Sequence, residues 1–359
     1  MKLKLRKNSK YGIVVPTSMG VRITPPNGAP VHTSNAYFMQ ATSAESNAVN
    51  IASSLGIKGL VLTNFVEDSP ISYFIKSELR RRNIDYFGPD IPQGGPWGYR
   101  HQFNIADSGY GTRGPRVHND RAGEVGRVLN AKDFDFENIF GVEGVQILHI
   151  SGLIAAISKE TTKFCLDVIH AAKDYGTLIS FDMNHRDTFW QGRETELRAA
   201  FIEMASKTDI LIGNEEDYQL CLGIEGPKEG GSDITSQING FKEMVERIKT
   251  AYPNANVFGN TLRQVISVNE HLWGAITLFE NTWNVIEPRP IQVIDRIGGG
   301  DGFAGGLLYG VLKEMEPEKA TQFAWASGAL ATTVLEDYAT PVDEEMVWSI
   351  YKGNARVKR

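Results

Sequence analysis

Along most of this chain, runs that read as β-strands alternate with runs that read as helices, and no other feature limits the fold so sharply. "KGLVLTNFV" (58–66) leads into a helical pattern from Pro70 to Arg82, and "VQILHISGL" (145–153) into one from Lys159 to Tyr175. "LISFDMN" (178–184) precedes a helix from Arg193 to Ala205, "DILIGN" (209–214) precedes Glu215 to Leu222, and "ANVFGNTL" (255–262) follows Asn239 to Ala251. Repeated strand–helix pairs predict an α/β fold with a doubly wound, mostly parallel sheet and helices on both faces. In open sheets of that kind, ligands bind beyond the carboxyl ends of the strands. The polar residues expected there are Asn184, Arg186, Asn214, Glu215, the run from Asn260 to Arg263, and three glycines at 298–300.

Two regions interrupt the alternation. Residues 12–41 and 97–122 hold short β-like pieces ("VRITPP", "AYFMQA", "YRHQFNIA", "PRVHND") separated by Gly and Pro, with a helix expected over 44–56 between them. They predict a small antiparallel β-sheet that projects as a lid from a single domain spanning 1–359. A net charge of −6 argues against nucleic acid as a partner. No apolar stretch has membrane-spanning length. Cys165 and Cys221 lie in helix-like apolar patterns without disulfide or metal spacing, which fits a reducing, cytoplasmic setting. The basic cluster Arg80 to Arg82 closes a helical pattern and reads as a solvated helix C-terminus.

The stretch 293–310, "VIDRIGGGDGFAGGLLYG", carries the most chemistry. "VIDRI" reads as a strand end, and Phe303, Leu307, Leu308 and Val311 recur at helical spacing, so a helix is predicted to begin near Gly300 or Asp301. Glycines at a helix mouth leave backbone N–H groups bare at the positive end of the dipole, a ready anion site. A carboxylate beside that site would repel a phosphate unless it takes a proton from a group attacking it, or holds a metal. "GDGFAG" (300–305) also satisfies G-x-G-x-x-G, but the following 314–338 read as a further helix and no strand, so hydride-transfer chemistry is not expected. No G-x-x-x-x-G-K-[ST] run occurs.

The stretch "DRIGGGDGFAGGLLYG" resembles the C-terminal signature of the ribokinase-like (PfkB) carbohydrate kinases. "HISGLIAAIS" (149–158), "SFDMNHRDTFW" (180–190), "IGNEEDY" (212–218), "NTLRQVISVNEHLWGA" (260–275) and the closing "GNARVKR" are similar, in order, to segments of the 2-keto-3-deoxygluconate kinases. The resemblance implies a ribokinase-like fold and phosphoryl transfer from ATP to a small sugar or sugar acid, 2-keto-3-deoxygluconate first, with another sugar such as fructose as the alternative. A catalytically weak member that only binds sugar or nucleotide is the reading from another class. By the same resemblance, Asp301 is the base and Gly298, Gly299 and Gly300 form the anion hole. Asn214, Thr261 and Arg263 meet the nucleotide phosphates; Asn47, Arg121 and Arg186 meet the sugar. Mg²⁺ is implied, with Glu215 orienting its water shell and Asp295 ordering the turn or joining the cation shell. A homodimer through the lid follows by analogy.

The chain departs from the pattern chiefly on the sugar side. Thr42 and Ser43 stand for a Gly-Gly pair, Thr17 and Ser18 for Gly-Glu or Gly-Asp, Asn104 for a tyrosine, and Glu124 and Val125 for small residues. Side chains at 42 and 43 are expected to narrow the pocket and to turn a hydroxyl toward the sugar.

Overall fold

The computed structural model describes residues 3–227 and 234–353, so most of the closing "GNARVKR" lies outside the described residues. From the N-terminus come β1 (Tyr11–Pro16), β2 (Gly20–Thr24), β3 (Phe38–Thr42), α1 (Ala44–Ser54), β4 (Gly59–Leu62), β5 (Phe65–Val66), α2 (Pro70–Arg81) and β6 (Ile84–Phe87). Next are β7 (Asp90–Ile91), β8 (Gln102–Asp107), β9 (Arg116–Asp120), β10 (Val145–Ser151), α3 (Gly152–Ala156), α4 (Lys159–Asp174) and β11 (Leu178–Asp182). Then follow α5 (Asp187–Trp190), α6 (Glu194–Ser206), β12 (Ile210–Ile212), α7 (Glu215–Leu222), α8 (Ile234–Ala251) and β13 (Val257–Ser267). A hairpin of β14 (Glu270–Phe279) and β15 (Thr282–Gln292), and the helices α9 (Gly299–Leu312), α10 (Pro317–Ala331) and α11 (Glu344–Tyr351), complete the order.

Nine strands form the main sheet in the order β15-β14-β13-β12-β11-β10-β1-β4-β6. The seven from β13 to β6 run parallel, and β14 and β15 close the other edge antiparallel. β1 is apolar along its length because helices cover both faces: Ile13 and Val15 join one core, with Leu307 of α9 and Phe323 of α10, while Val14 joins the other, with Phe164 of α4 and Phe201 of α6. A separate four-stranded sheet, β3-β2-β8-β9, stands over the carboxyl ends; two antiparallel pairs meet in it through a parallel β2–β8 contact. Among the described residues no helix is long and apolar enough to cross a membrane.

Three expectations need correction. Residues 12–16 belong to β1, an interior strand of the main sheet between β10 and β4, so the lid's first segment starts only at Gly20. "VIDRI" is no strand end: β15 stops at Gln292, and the following residues turn into α9. Arg82 is buried rather than solvated. Its guanidinium donates to Asn50 Oδ1 (2.7 Å), Ser46 O (2.8 Å) and Ala41 O (3.2 Å) and stacks on Tyr338 at 3.8 Å, which ties the end of β3 and helix α1 to the C-terminal loop.

Candidate active site

The ends of β11, β12 and β13, the start of α9 and the lid converge on a cleft of about 870 Å³, within the size range of small-molecule sites. α9 begins where no side chain fits. Gly298 caps it at φ +87°, and a Cβ there would stand 2.0 Å from the Asp337 carbonyl oxygen, so glycine is required on both counts. Gly300 opens onto free space and lines the cleft with Gly298, whereas Gly299 faces Thr332 and Trp273 and does not line it. Asp301 follows in the first turn of α9 and accepts a hydrogen bond from Asn47 Nδ2 at 2.9 Å. Burial pushes its carboxyl from 3.8 up to about 7; the Asn47 bond pulls the other way, the Asp337 charge adds to the rise, and Arg186 opposes it. A carboxylate poised near neutrality beside bare helix N–H groups is suited to accept a proton next to an anion.

Asn214, Glu215, Thr261 and Arg263 all line the cleft. Asn214 is the N-cap of α7: its side chain accepts from Asp217 N–H at 2.7 Å, and Asp217 reciprocates to Asn214 N–H at 3.0 Å. Its carbonyl oxygen therefore serves the helix. Glu215 begins α7. Thr261 and Arg263 share one face of β13, in the part that extends beyond Gly259, the last residue paired to β12.

Thr42, Ser43, Asn47, Asn104, Arg121 and Arg186 also line the cleft. Arg186, exposed just past β11, donates to the His185 carbonyl at 2.7 Å. Arg121 pairs with the buried Glu124 at 2.6 Å and lies 5.2 Å over the Phe189 ring. Ser18 donates to the same Glu124 oxygen at 2.5 Å, so two departures from the family pattern meet each other. The hydroxyls at 42 and 43 are committed elsewhere than the expected sugar contact: Thr42 donates to Asp337 Oδ2 at 2.7 Å, and Ser43 caps α1 by accepting from Ser46 N–H at 3.1 Å.

Asp295 is the predicted site residue most displaced. It is fully buried, outside the cleft, and engaged by Arg22, by Ser108 Oγ (2.8 Å) and by Ile297 N–H (3.0 Å). Its carboxylate orders the turn into α9 and is spent there, which corrects the cation-shell expectation. Sequence reasoning missed Asp337, which lines the cleft, and Asp182, whose carboxyl burial holds well above the usual range, with the charges of Asp217 and Asp301 adding. Asp182 sits in "SFDMN" at a strand end, a signal that was open to use; Asp337 had none. Among the described residues, several buried polar atoms without a partner belong to cleft residues: Gln102 Oε1, Asn104 Oδ1, Arg121 Nε, Asn184 Oδ1 and Asn260 Nδ2. Such atoms call for a polar ligand.

A family model for pfkB family carbohydrate kinases matches residues 125–343, more than half of the chain and all of α9. The chain belongs to that family. The kinase is 25% identical over 342 residues to a 2-dehydro-3-deoxygalactonokinase of Haloferax volcanii, covering 94% of this chain and 96% of that protein. Its structure is similar to that of a 2-dehydro-3-deoxygluconokinase from Thermotoga maritima, with TM-score 0.85, 25% identity and 96% and 98% of the two chains covered. It shares its fold with a ribokinase II candidate of E. coli in complex with ATP and Mg²⁺ (TM-score 0.72, 19% identity, 96% and 100% covered).

Proposed function

We propose that this carbohydrate kinase transfers the γ-phosphoryl group of ATP to a hydroxyl of a 2-keto-3-deoxy sugar acid, of the gluconate or galactonate kind. The observation that carries the reading is Asp301 at the mouth of α9, held by Asn47 and titrating near neutrality. In this reading Asp301 accepts the proton of the attacking hydroxyl, and the N–H groups at Gly298 and Gly300, which line the cleft, face the charge that builds on the phosphoryl oxygens. Arg263 and Thr261, on one face of β13, hold the nucleotide phosphates, and Asn214 orients beside them. Among the described residues no cluster of three acidic, His or Cys side chains could hold a metal by itself. Mg²⁺ takes one or two carboxylates and leaves the rest of its shell to phosphates and water; in this reading Glu215, which lines the cleft, orients that water shell. When bound, the cation neutralises phosphate charge.

Support for the substrate comes from the names of the relatives matched over nearly the whole chain, both of which act on 2-dehydro-3-deoxy sugar acids. Arg186 supplies a guanidinium for a carboxylate, and the unpartnered atoms of Gln102, Asn104 and Asn184 suit the hydroxyls of a sugar. One observation favours a second reading, a neutral sugar such as fructose: Arg121 is already neutralised by Glu124. We place the kinase in the cytoplasm and propose a homodimer through the lid, where Phe38 and Met39 of β3 stay exposed. ADP release in the presence of MgATP and a panel of 2-keto-3-deoxygluconate, 2-keto-3-deoxygalactonate, fructose and ribose tests the substrate. Turnover with the keto-deoxy acids is expected. Turnover with fructose alone moves the conclusion to the second reading, and none on the panel refutes the proposal.

A further inference from the structure

The hydrogen bond from Asn47 to Asp301 is the inner end of a chain of contacts that reaches the lid. Asn47 Nδ2 donates to Asp301 Oδ2 at 2.9 Å and, with its other hydrogen, to the Thr42 hydroxyl at 3.2 Å. A hydroxyl has one proton and can still accept. Thr42 spends its proton on Asp337 Oδ2 at 2.7 Å. The other Asp337 oxygen forms an ion pair with Arg22 of lid strand β2, a guanidinium only 1% exposed. Arg22 also pairs with Asp295, at the head of the turn that delivers Gly298. Two more lid residues end on the same two acids: Ser108, just past β8, donates to Asp295 at 2.8 Å, and Gln40 of β3 accepts from Asp337 N–H at 3.0 Å. The Asp337 backbone in turn abuts Gly298 so closely that a Cβ there would lie 2.0 Å from its carbonyl oxygen.

We propose that Thr42 and Asp337 are positioning residues for phosphoryl transfer, fixing the Asn47 amide against the base and tying both base and glycine turn to the lid through Arg22. The proposal rests on the kinase reading of the cleft. Thr42 is the link that glycine, implied at this position by the family resemblance, cannot supply, so the relay belongs to this chain. A residue that works this way alters the arrangement of the reacting groups and leaves the contacts to either substrate in place, so its loss falls on kcat rather than KM.

The experiment is steady-state kinetics of the full-length protein and its Thr42→Val and Thr42→Ser variants, with MgATP and whichever sugar the wild type uses best. Valine keeps the shape and removes both hydrogen bonds of the hydroxyl. Thr42→Val is expected to lower kcat by about ten-fold or more, the worth of one charge-assisted hydrogen bond, with both KM values nearly unchanged, and Thr42→Ser to restore most of the loss. A Thr42→Val enzyme with wild-type kcat overturns the relay; so does one whose sugar KM alone rises, because Thr42 then touches the sugar directly, and so does a serine variant as slow as the valine one. Should Thr42→Val fail to fold, Arg22→Lys replaces it, with the same kcat-only loss expected and unchanged kcat overturning the relay. A wild type that phosphorylates nothing on the panel brings down the kinase reading and the relay together, whereas an active wild type matched by Thr42→Val brings down the relay alone.

Discussion

Replacing Asp301 by asparagine should leave a protein that is more stable at pH 8 and nearly inactive, because one buried carboxylate is responsible for both. In the folded chain burial lifts its titration from 3.8 to about 7. Below 3.8 the carboxyl is protonated in folded and unfolded chains alike, and burial costs little. Between the two midpoints the unfolded chain ionises first, so folding loses about 1.4 kcal/mol for each pH unit, and above about 7 the full penalty stands. Roughly three pH units separate the midpoints, which sets a ceiling of about 4 kcal/mol. Asp301 is partly open to the cleft, and screening there lowers the figure toward about 2 kcal/mol. With an unfolding entropy of about 2.1 cal/mol/K per residue over 359 residues, Asp301→Asn should raise Tm by about 3–5 °C at pH 8 and by about 1 °C at pH 4.5. Scanning calorimetry of both proteins at both pH values measures it. A gain equal at the two pH values, or a loss at pH 8, would refute the assignment of the strain to an ionised Asp301. The same variant should lose about 10²–10⁴ in kcat while nucleotide titrations stay close to wild type, and wild-type kcat/KM should fall as pH drops through about 7. If the asparagine enzyme keeps most of its turnover, Asp301 is only a helix-terminus charge.

Three further outcomes follow from the cleft. Arg186→Ala should raise the sugar KM, and Arg263→Ala the ATP KM, each by about 10–100-fold, the worth of a charged hydrogen bond; an Arg186 variant with unchanged sugar KM argues against a carboxylated substrate. Glu124→Gln should free the Arg121 charge and shift kcat/KM toward sugar acids over fructose by about ten-fold, and an unchanged ratio would show that Arg121 does not read that charge. Gly298→Ala should lower both Tm and kcat, since its φ of +87° and the Asp337 carbonyl leave no room for a methyl group; circular-dichroism melting and turnover together check it.

The fold and much of the cleft were legible because their signals are local. Periodicity gave the helices Pro70 to Arg82 and Glu215 to Leu222 to within a residue. Asn214, Thr261 and Arg186 were found because a parallel sheet delivers its strand ends to one edge, where the structure places all three. What escaped notice was tertiary. Arg22 reaches Asp337 across 315 positions and Asp295 across 273, and nothing local marks any of the three as partners. Arg82 looked solvated in "ELRRRN" because the sequence does not show the three acceptors and the Tyr338 ring that replace water around it. The strand β1 looked like lid because it lies between Gly and Pro, although β4 and β10 pair with both its edges and helices bury both its faces.

The departures from the family pattern bear on whether this kinase has decayed or been rebuilt. Decay would leave buried hydroxyls and carboxylates without partners, at about 1–3 kcal/mol each. Here three of the substituted residues find one another or a neighbouring acid: Ser18 bonds Glu124 at 2.5 Å, Thr17 bonds Glu45 at 2.6 Å, and Thr42 bonds Asp337 at 2.7 Å. The Ser18 and Glu124 changes meet in one hydrogen bond, and the same Glu124 oxygen pairs with Arg121. Unpartnered atoms persist instead on Gln102, Asn104 and Arg121, which line the cleft on the lid side. Unpartnered polar atoms in the cleft wall suit a polar ligand, and Gly298, Gly300 and Asp301, which the proposed function assigns to phosphoryl transfer, line the same cleft. That combination weighs against a silent binding member and toward an active kinase whose sugar pocket has been reshaped as a unit.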